Sequence, residues 1–159
     1  MLIRSLTLII SIFYSFLIHA APRPLDLEMG KATSNDIKRM YKIKDEYFFR
    51  DGISYQLNVS SLPNDKLEEV YIWCDSDDVI QYLMLILSRD EFDNMVSFLS
   101  GKYEFIDCTP TVDRSFETEL IAKFRDGDFK IITFAPKSDH ELVVQYYSPK
   151  FSNRNYKPK

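Results

Sequence analysis

The chain has 159 residues, a formal net charge of −4, and a composition that is 45% hydrophobic and 14% aromatic. That much apolar content excludes disorder as the state of the whole chain. The mild acidity excludes bulk neutralisation of nucleic-acid phosphates, so no nucleic-acid partner is expected.

Residues 1–21 read as a secretory signal peptide. Arg4 supplies the positive start, residues 6–18 carry no charge, and His19-Ala20-Ala21 closes the run before Pro22-Arg23-Pro24. The run is shorter than the roughly 20 apolar residues that span a bilayer, so no transmembrane segment is expected after processing. Loss of Arg4 with this segment takes the charge from −4 to −5. The expected location is periplasmic or secreted, with residues 22–147 as one domain.

Within that domain Thr33 or Ser34 caps a first short helix, Asp36 sits in its first turn, and Ile37, Met40 and Tyr41 form its apolar stripe. Tyr47-Phe48-Phe49, the turn Arg50-Asp51-Gly52, and the alternating Ile53, Tyr55, Leu57 and Val59 read as a hairpin. Further strands are expected from Val70 to Cys74 and from Val79 to Leu87, joined by the Asp75-Ser76-Asp77-Asp78 turn. Ser88 and Glu91 match a capping box for a second helix with Phe92, Met95, Val96 and Leu99 on one face and Gly101 as a left-handed stop. Strands follow from Tyr103 to Cys108, Phe116 to Phe124, Phe129 to Ala135 and Leu142 to Tyr147. The expected fold is α+β, an antiparallel meander sheet with two helices packed on one face, in the order helix–strands–helix–strands. Phe49-Arg50-Asp51-Gly52 recurs as Phe124-Arg125-Asp126-Gly127, a hint of internal duplication. In residues 148–159, Lys150, Arg154, Lys157 and Lys159 meet no acid in the local sequence, which reads as a solvated basic tail without fixed structure.

The stretch Leu27-Glu28-Met29-Gly30-Lys31-Ala32-Thr33-Ser34-Asn35-Asp36-Ile37 resembles the opening of small exported bacterial domains of the BamE/SmpA outer-membrane assembly type and the β-lactamase inhibitor protein type. The second half resembles exported proteins of similar size. The resemblance implies a small helix on an antiparallel sheet and action by binding: the sheet face grips a partner enzyme in the inhibitors and supports membrane-protein assembly in the BamE type. It carries over no site residue. This chain has one more residue between Gly30 and the helix stripe, no second helix directly after the first, and no lipobox cysteine.

Cys74 and Cys108 are the only cysteines, and an even pair in an oxidising compartment is expected to form one disulfide. Asp75, Asp77 and Asp78 are the densest acidic cluster. They lack the glycine and distant glutamate of a calcium loop, so they read as a turn, and no metal is expected. His140, beside Asp139 and Glu141, is the one histidine beyond residue 21; it reads as a loop residue, with a general base for a small hydrolase as the rival reading. No phosphate loop or nucleophile motif is present, and no cofactor and no catalytic residue is assigned.

The strands hold more large residues than one covered face needs. Tyr71, Trp73, Tyr82, Tyr146 and Tyr147 are therefore the candidate partner-binding residues, since Tyr and Trp anchor interfaces. The expected function is a non-enzymatic binding or accessory module of the cell envelope acting through a sheet surface, with another protein as partner. The alternatives are an inhibitor or immunity protein that blocks an exported hydrolase or toxin, and, further off, the hydrolase using His140. Protein purified from its native host should begin near Ala21 or Pro22 by intact mass; a mass retaining residues 1–20 would contradict export with cleavage.

Overall fold

In a computed structural model, which describes residues 21–110 and 115–153, eight strands form one fully antiparallel sheet. Residues 1–20 of the expected signal peptide and residues 154–159 lie outside the described residues. The strands are β1 (Ile43–Phe49), β2 (Gly52–Leu57), β3 (Leu67–Cys74), β4 (Ile80–Ser88), β5 (Glu104–Thr109), β6 (Leu120–Asp126), β7 (Phe129–Ala135) and β8 (Glu141–Tyr147). Their spatial order is β1-β2-β3-β4-β8-β7-β6-β5.

This order corrects the expected architecture in two ways. The sheet is not one meander. It is two four-stranded meanders joined edge to edge where β4 pairs with β8, from Tyr82 opposite Tyr147 to Ser88 opposite Glu141. The fold is also mainly β, and not α+β. Helix α1 (Ser34–Met40) is seven residues long with Ile37 as its buried residue, and α2 (Phe92–Ser100) has nine residues. Strand pairing supplies most of the architecture, between strands adjacent in the chain everywhere except at the β4–β8 junction, and the short helices only fill in above it. The repeated Phe-Arg-Asp-Gly does not mark a duplication. Its first copy spans the β1–β2 turn and its second the β6–β7 turn, which are not equivalent places in an order that mirrors β1 with β5 and β2 with β6.

Side-chain alternation decides which face is dry. Leu83, Leu85 and Leu87 of β4, Leu142, Val144 and Tyr146 of β8, and Val70 and Ile72 of β3 all point to one side and are buried. That side is covered by α2, whose Phe92 and Leu99 are buried over β5, β6 and β7, by α1 through Ile37, and by the segment holding Leu27 and Met29. Hydrogen bonds from the Gly30 N–H to the Ile80 carbonyl (2.8 Å) and from the Ile80 N–H to the Ala32 carbonyl (2.9 Å) fasten that segment to the start of β4.

Several local expectations change under tertiary constraint. Asp36 accepts the Thr33 N–H (3.0 Å) and hydroxyl (3.1 Å), so Thr33 is the cap of α1, while Met40 of the expected stripe is exposed. Ser88 does not cap α2. Pairing with Glu141 keeps it extended, the Arg89 N–H goes to the His140 carbonyl (2.7 Å), and a tight turn over Arg89–Glu91 precedes the helix. Gly101 ends α2 in a right-handed conformation (φ −75°), not a left-handed one. The strand expected from Phe116 begins at Leu120, because the buried Arg89 guanidinium donates to the carbonyls of Ser115 (3.1 Å), Thr118 and Pro136 and holds residues 115–118 as a loop.

No disulfide forms between Cys74 and Cys108. Cys74 ends β3 and Cys108 lies in β5 at the sheet edge, so five inter-strand steps of about 4.8 Å separate their strands, roughly 24 Å where a bond needs less than about 7 Å between Cα atoms. Burial, with the nearby Asp78 and Asp75 carboxylates, pushes the Cys74 thiol up to about 12.

One glycine is required by space. A Cβ at Gly52 would lie 1.9 Å from the Cys74 carbonyl oxygen and 2.9 Å from Trp73 Nε1. The missing side chain lets the Trp73 indole N–H reach the Phe49 carbonyl at 2.8 Å. Gly52→Ala should lower stability by about 2 kcal/mol or more in urea denaturation, an overpacking effect; an unchanged midpoint would contradict this packing.

Candidate functional site

The second face of the sheet carries no helix longer than four residues among the described residues, and its side chains fall into register across all eight strands. Tyr47, Ser54, Trp73 and Tyr82 stand opposite one another on β1 to β4. The row continues through Tyr147 of β8 and then changes character, through Lys130, Arg125 and Glu104. A neighbouring row runs through Gln56, Tyr71, Met84, Gln145 and Ile132. One end of this face is thus aromatic and the other ionic, closed by the Arg125–Glu104 pair (2.8 Å) and the Lys123–Asp107 pair (3.7 Å).

Polar handles fix the aromatic rings in place. Gln145 donates from Nε2 to the Tyr82 hydroxyl (2.8 Å) and accepts the Tyr147 hydroxyl at Oε1 (2.7 Å). The Tyr71 hydroxyl donates to Glu69 and accepts from Gln56 Nε2 (3.1 Å). The bond to the Glu69 carboxylate, helped by burial, pushes the Tyr71 phenol up to about 12; burial and the adjacent Tyr147 raise that of Tyr82. Both stay neutral, each with an apolar ring and a hydrogen-bonded polar tip.

The C-terminal segment turns back onto this face, which corrects the expectation of an unstructured tail for its first residues. Ser148 caps a single turn, α3 (Pro149–Ser152), by accepting the Phe151 N–H (3.1 Å), and donates its own hydroxyl to Gln81 Oε1 (2.5 Å). Phe151 stacks on Tyr82 (4.8 Å, 14°), meets Trp73 edge-on (5.2 Å) and packs beside Tyr147 (5.8 Å). Lys150 does meet acids: its Nζ lies 2.5 Å from Asp75 Oδ2 and 2.7 Å from Asp77 Oδ2. Phe49, Tyr82, Tyr147 and Phe151 wall a cleft of about 490 Å³ at this end of the sheet. A second hollow of about 410 Å³ lies beside it among Tyr47, Tyr71, Met84 and Ile86.

Of the five aromatic residues singled out from the sequence, the structure brings together Tyr71, Trp73, Tyr82 and Tyr147. Trp73 is only 1% exposed, covered by Phe151, and so acts as support beneath the surface. Tyr146 is on the opposite face, 3% exposed against Tyr103. Asp75, Asp77 and Asp78 form the β3–β4 turn, and no group that could hold a metal ion occurs among the described residues. His140 is exposed, with its ring 4.8 Å from that of Phe116 and away from the aromatic row. Sequence reasoning missed Phe151, which sits in a basic stretch, and Tyr47 and Phe49, whose two-residue spacing on β1 was the available signal of a shared face.

Asp75 links the C-terminal turn to the sheet. Burial raises its carboxyl, but Lys150 and the N–H groups of Val79 and Asp77 outweigh that and hold it below its ordinary 3.8. With a depressed folded value, its contribution to stability is complete above the ordinary value and is lost as pH falls through the folded one. Asp75→Asn should therefore cost about 2 kcal/mol at neutral pH in urea denaturation, with the gap from wild type closing on acidification; a gap independent of pH would contradict this role.

No helix among the described residues is long and apolar enough to cross a membrane. The chain matches no protein-family model, no curated protein and no solved structure.

Proposed function

We propose that the protein is an exported, non-enzymatic binding module that takes a protein partner on the open face of its sheet. The observation that carries this reading is the cross-strand aromatic row from Tyr47 to Tyr147, with half-exposed Met84, Ile86 and Ile132 beside it, on a face that only α3 overlies among the described residues. Tyrosines held by hydrogen bonds lose little freedom on binding and anchor interfaces, and the ionic pairs of β5 and β6 supply a polar rim. Export rests on Arg4 and the uncharged run that follows it. The likeness of residues 27–37 to exported domains that act by binding points the same way. An inhibitor or immunity role is a narrower case of the same surface, distinguished by the identity of the partner.

Capture from envelope extract should compare three proteins: wild type, the open-face double variant Met84→Glu/Ile86→Lys, and Phe98→Glu on the outer side of α2. The partner retained by wild type should fall at least tenfold with the open-face variant and persist with Phe98→Glu, with circular dichroism showing each folded. A partner held equally by the open-face variant would place binding elsewhere.

A further inference from the structure

The hollow of about 410 Å³ on the open face is lined by one charged residue, Glu69. Tyr47, Phe49 and Tyr82 give it rings, and Met84 and Ile86 give it aliphatic surface; among the described residues no lysine, arginine or histidine lines it. The volume lies in the range of small-molecule sites. Arg50 lies against the Phe49 and Phe151 rings and is not one of the lining residues.

Glu69 differs from the other acids around this face. Glu104 meets Arg125 (2.8 Å), Asp107 meets Lys123 (3.7 Å), and Asp75 and Asp77 share Lys150. Glu69 makes no ion pair among the described residues, and Lys66, the base nearest to it in the chain, reaches Glu91 instead (3.5 Å). What holds Glu69 is neutral. Gln56 Nε2 can only donate, so the Tyr71 hydroxyl accepts from it (3.1 Å) and turns its own proton to the Glu69 carboxylate. Pairing opposite Ile86, two residues before Tyr71, sets Glu69 on the open face, where it is half-buried. A carboxylate in this position has exchanged part of its water for one phenol bond, and it keeps further lone pairs for a charged donor.

We propose that this hollow binds an organic cation, an ammonium group on an aliphatic or aromatic body, with Glu69 taking the ammonium and the rings, Met84 and Ile86 taking the body. The site shares the open face with the binding module proposed above, but its test uses no protein partner, so the two readings fail separately.

The test is titration of the purified protein with hexylamine and with phenethylamine, each against the alcohol of the same skeleton, hexanol and 2-phenylethanol. Calorimetry reports binding, as does the fluorescence of Trp73, the single tryptophan, which also lines the hollow. At least one amine should bind saturably, and its alcohol at least tenfold more weakly; the tighter amine identifies the body as aliphatic or aromatic. Glu69→Gln, which keeps an acceptor for the Tyr71 hydroxyl, should weaken that amine at least tenfold, and Glu68→Gln, an exposed neighbour outside the hollow, should change it less than twofold, with circular dichroism showing each folded. Failure of both amines to saturate at millimolar concentration would overturn the proposal. So would equal affinity for amine and alcohol, a comparison that needs no variant, or equal affinity of the Glu69 and Glu68 variants for the amine.

Discussion

The antiparallel pairing of β4 with β8 is the constraint on which the rest of this structure depends. Each four-stranded meander could close through connections between strands adjacent in the chain, but neither alone makes a face wide enough to bury Leu83, Leu85 and Leu87 on one side of β4 and Leu142, Val144 and Tyr146 on β8. Joining them puts β4 and β8 at the centre, with neighbours on both sides. It also forces the connection after β4 to travel to the far edge of the sheet, and α2 covers β5, β6 and β7 along that route. The helix is therefore a consequence of the strand order as much as of its own apolar face.

The same pairing assembles the open face. Tyr82 and Tyr147 come from strands 65 residues apart in the chain and become cross-strand neighbours only through this junction, with ring centres 5.2 Å apart. Phe151 then extends the group from the chain that leaves β8, and Lys150 and Ser148 bind that chain to Asp75 and Gln81. Trp73, Gly52 and Phe49 form the other flank, where a missing side chain lets an indole cross to a carbonyl. The aromatic row is thus cross-linked by polar bonds at several points, which gives it a defined shape in place of a loose apolar patch.

Much of this could be read residue by residue. Alternation in Val70 to Cys74 and in Leu142 to Tyr147 marks strands, and the Asp-Gly and Asn-Asp sequences mark their turns. Period-two geometry even implies that Tyr146 and Tyr147 cannot share a face, while Tyr71 and Trp73 must. Helix boundaries were less legible. Ser88 has the chemistry of a cap, but a cap needs a chain free to turn, and pairing with Glu141 holds it in the strand.

What the sequence by itself determined is local: the strands, the side chains that share a side within each strand, and the turns. Tertiary structure alone decided that the two meanders join through β4 and β8, and with that the fold class, the distance between Cys74 and Cys108, the acids that meet Lys150, and the face on which the aromatics stand open. The reason is physical. Dihedral preference and alternation act over a few residues, whereas the choice of β4 and β8 as partners depends on how much apolar surface the completed sheet buries, a quantity that no short window contains.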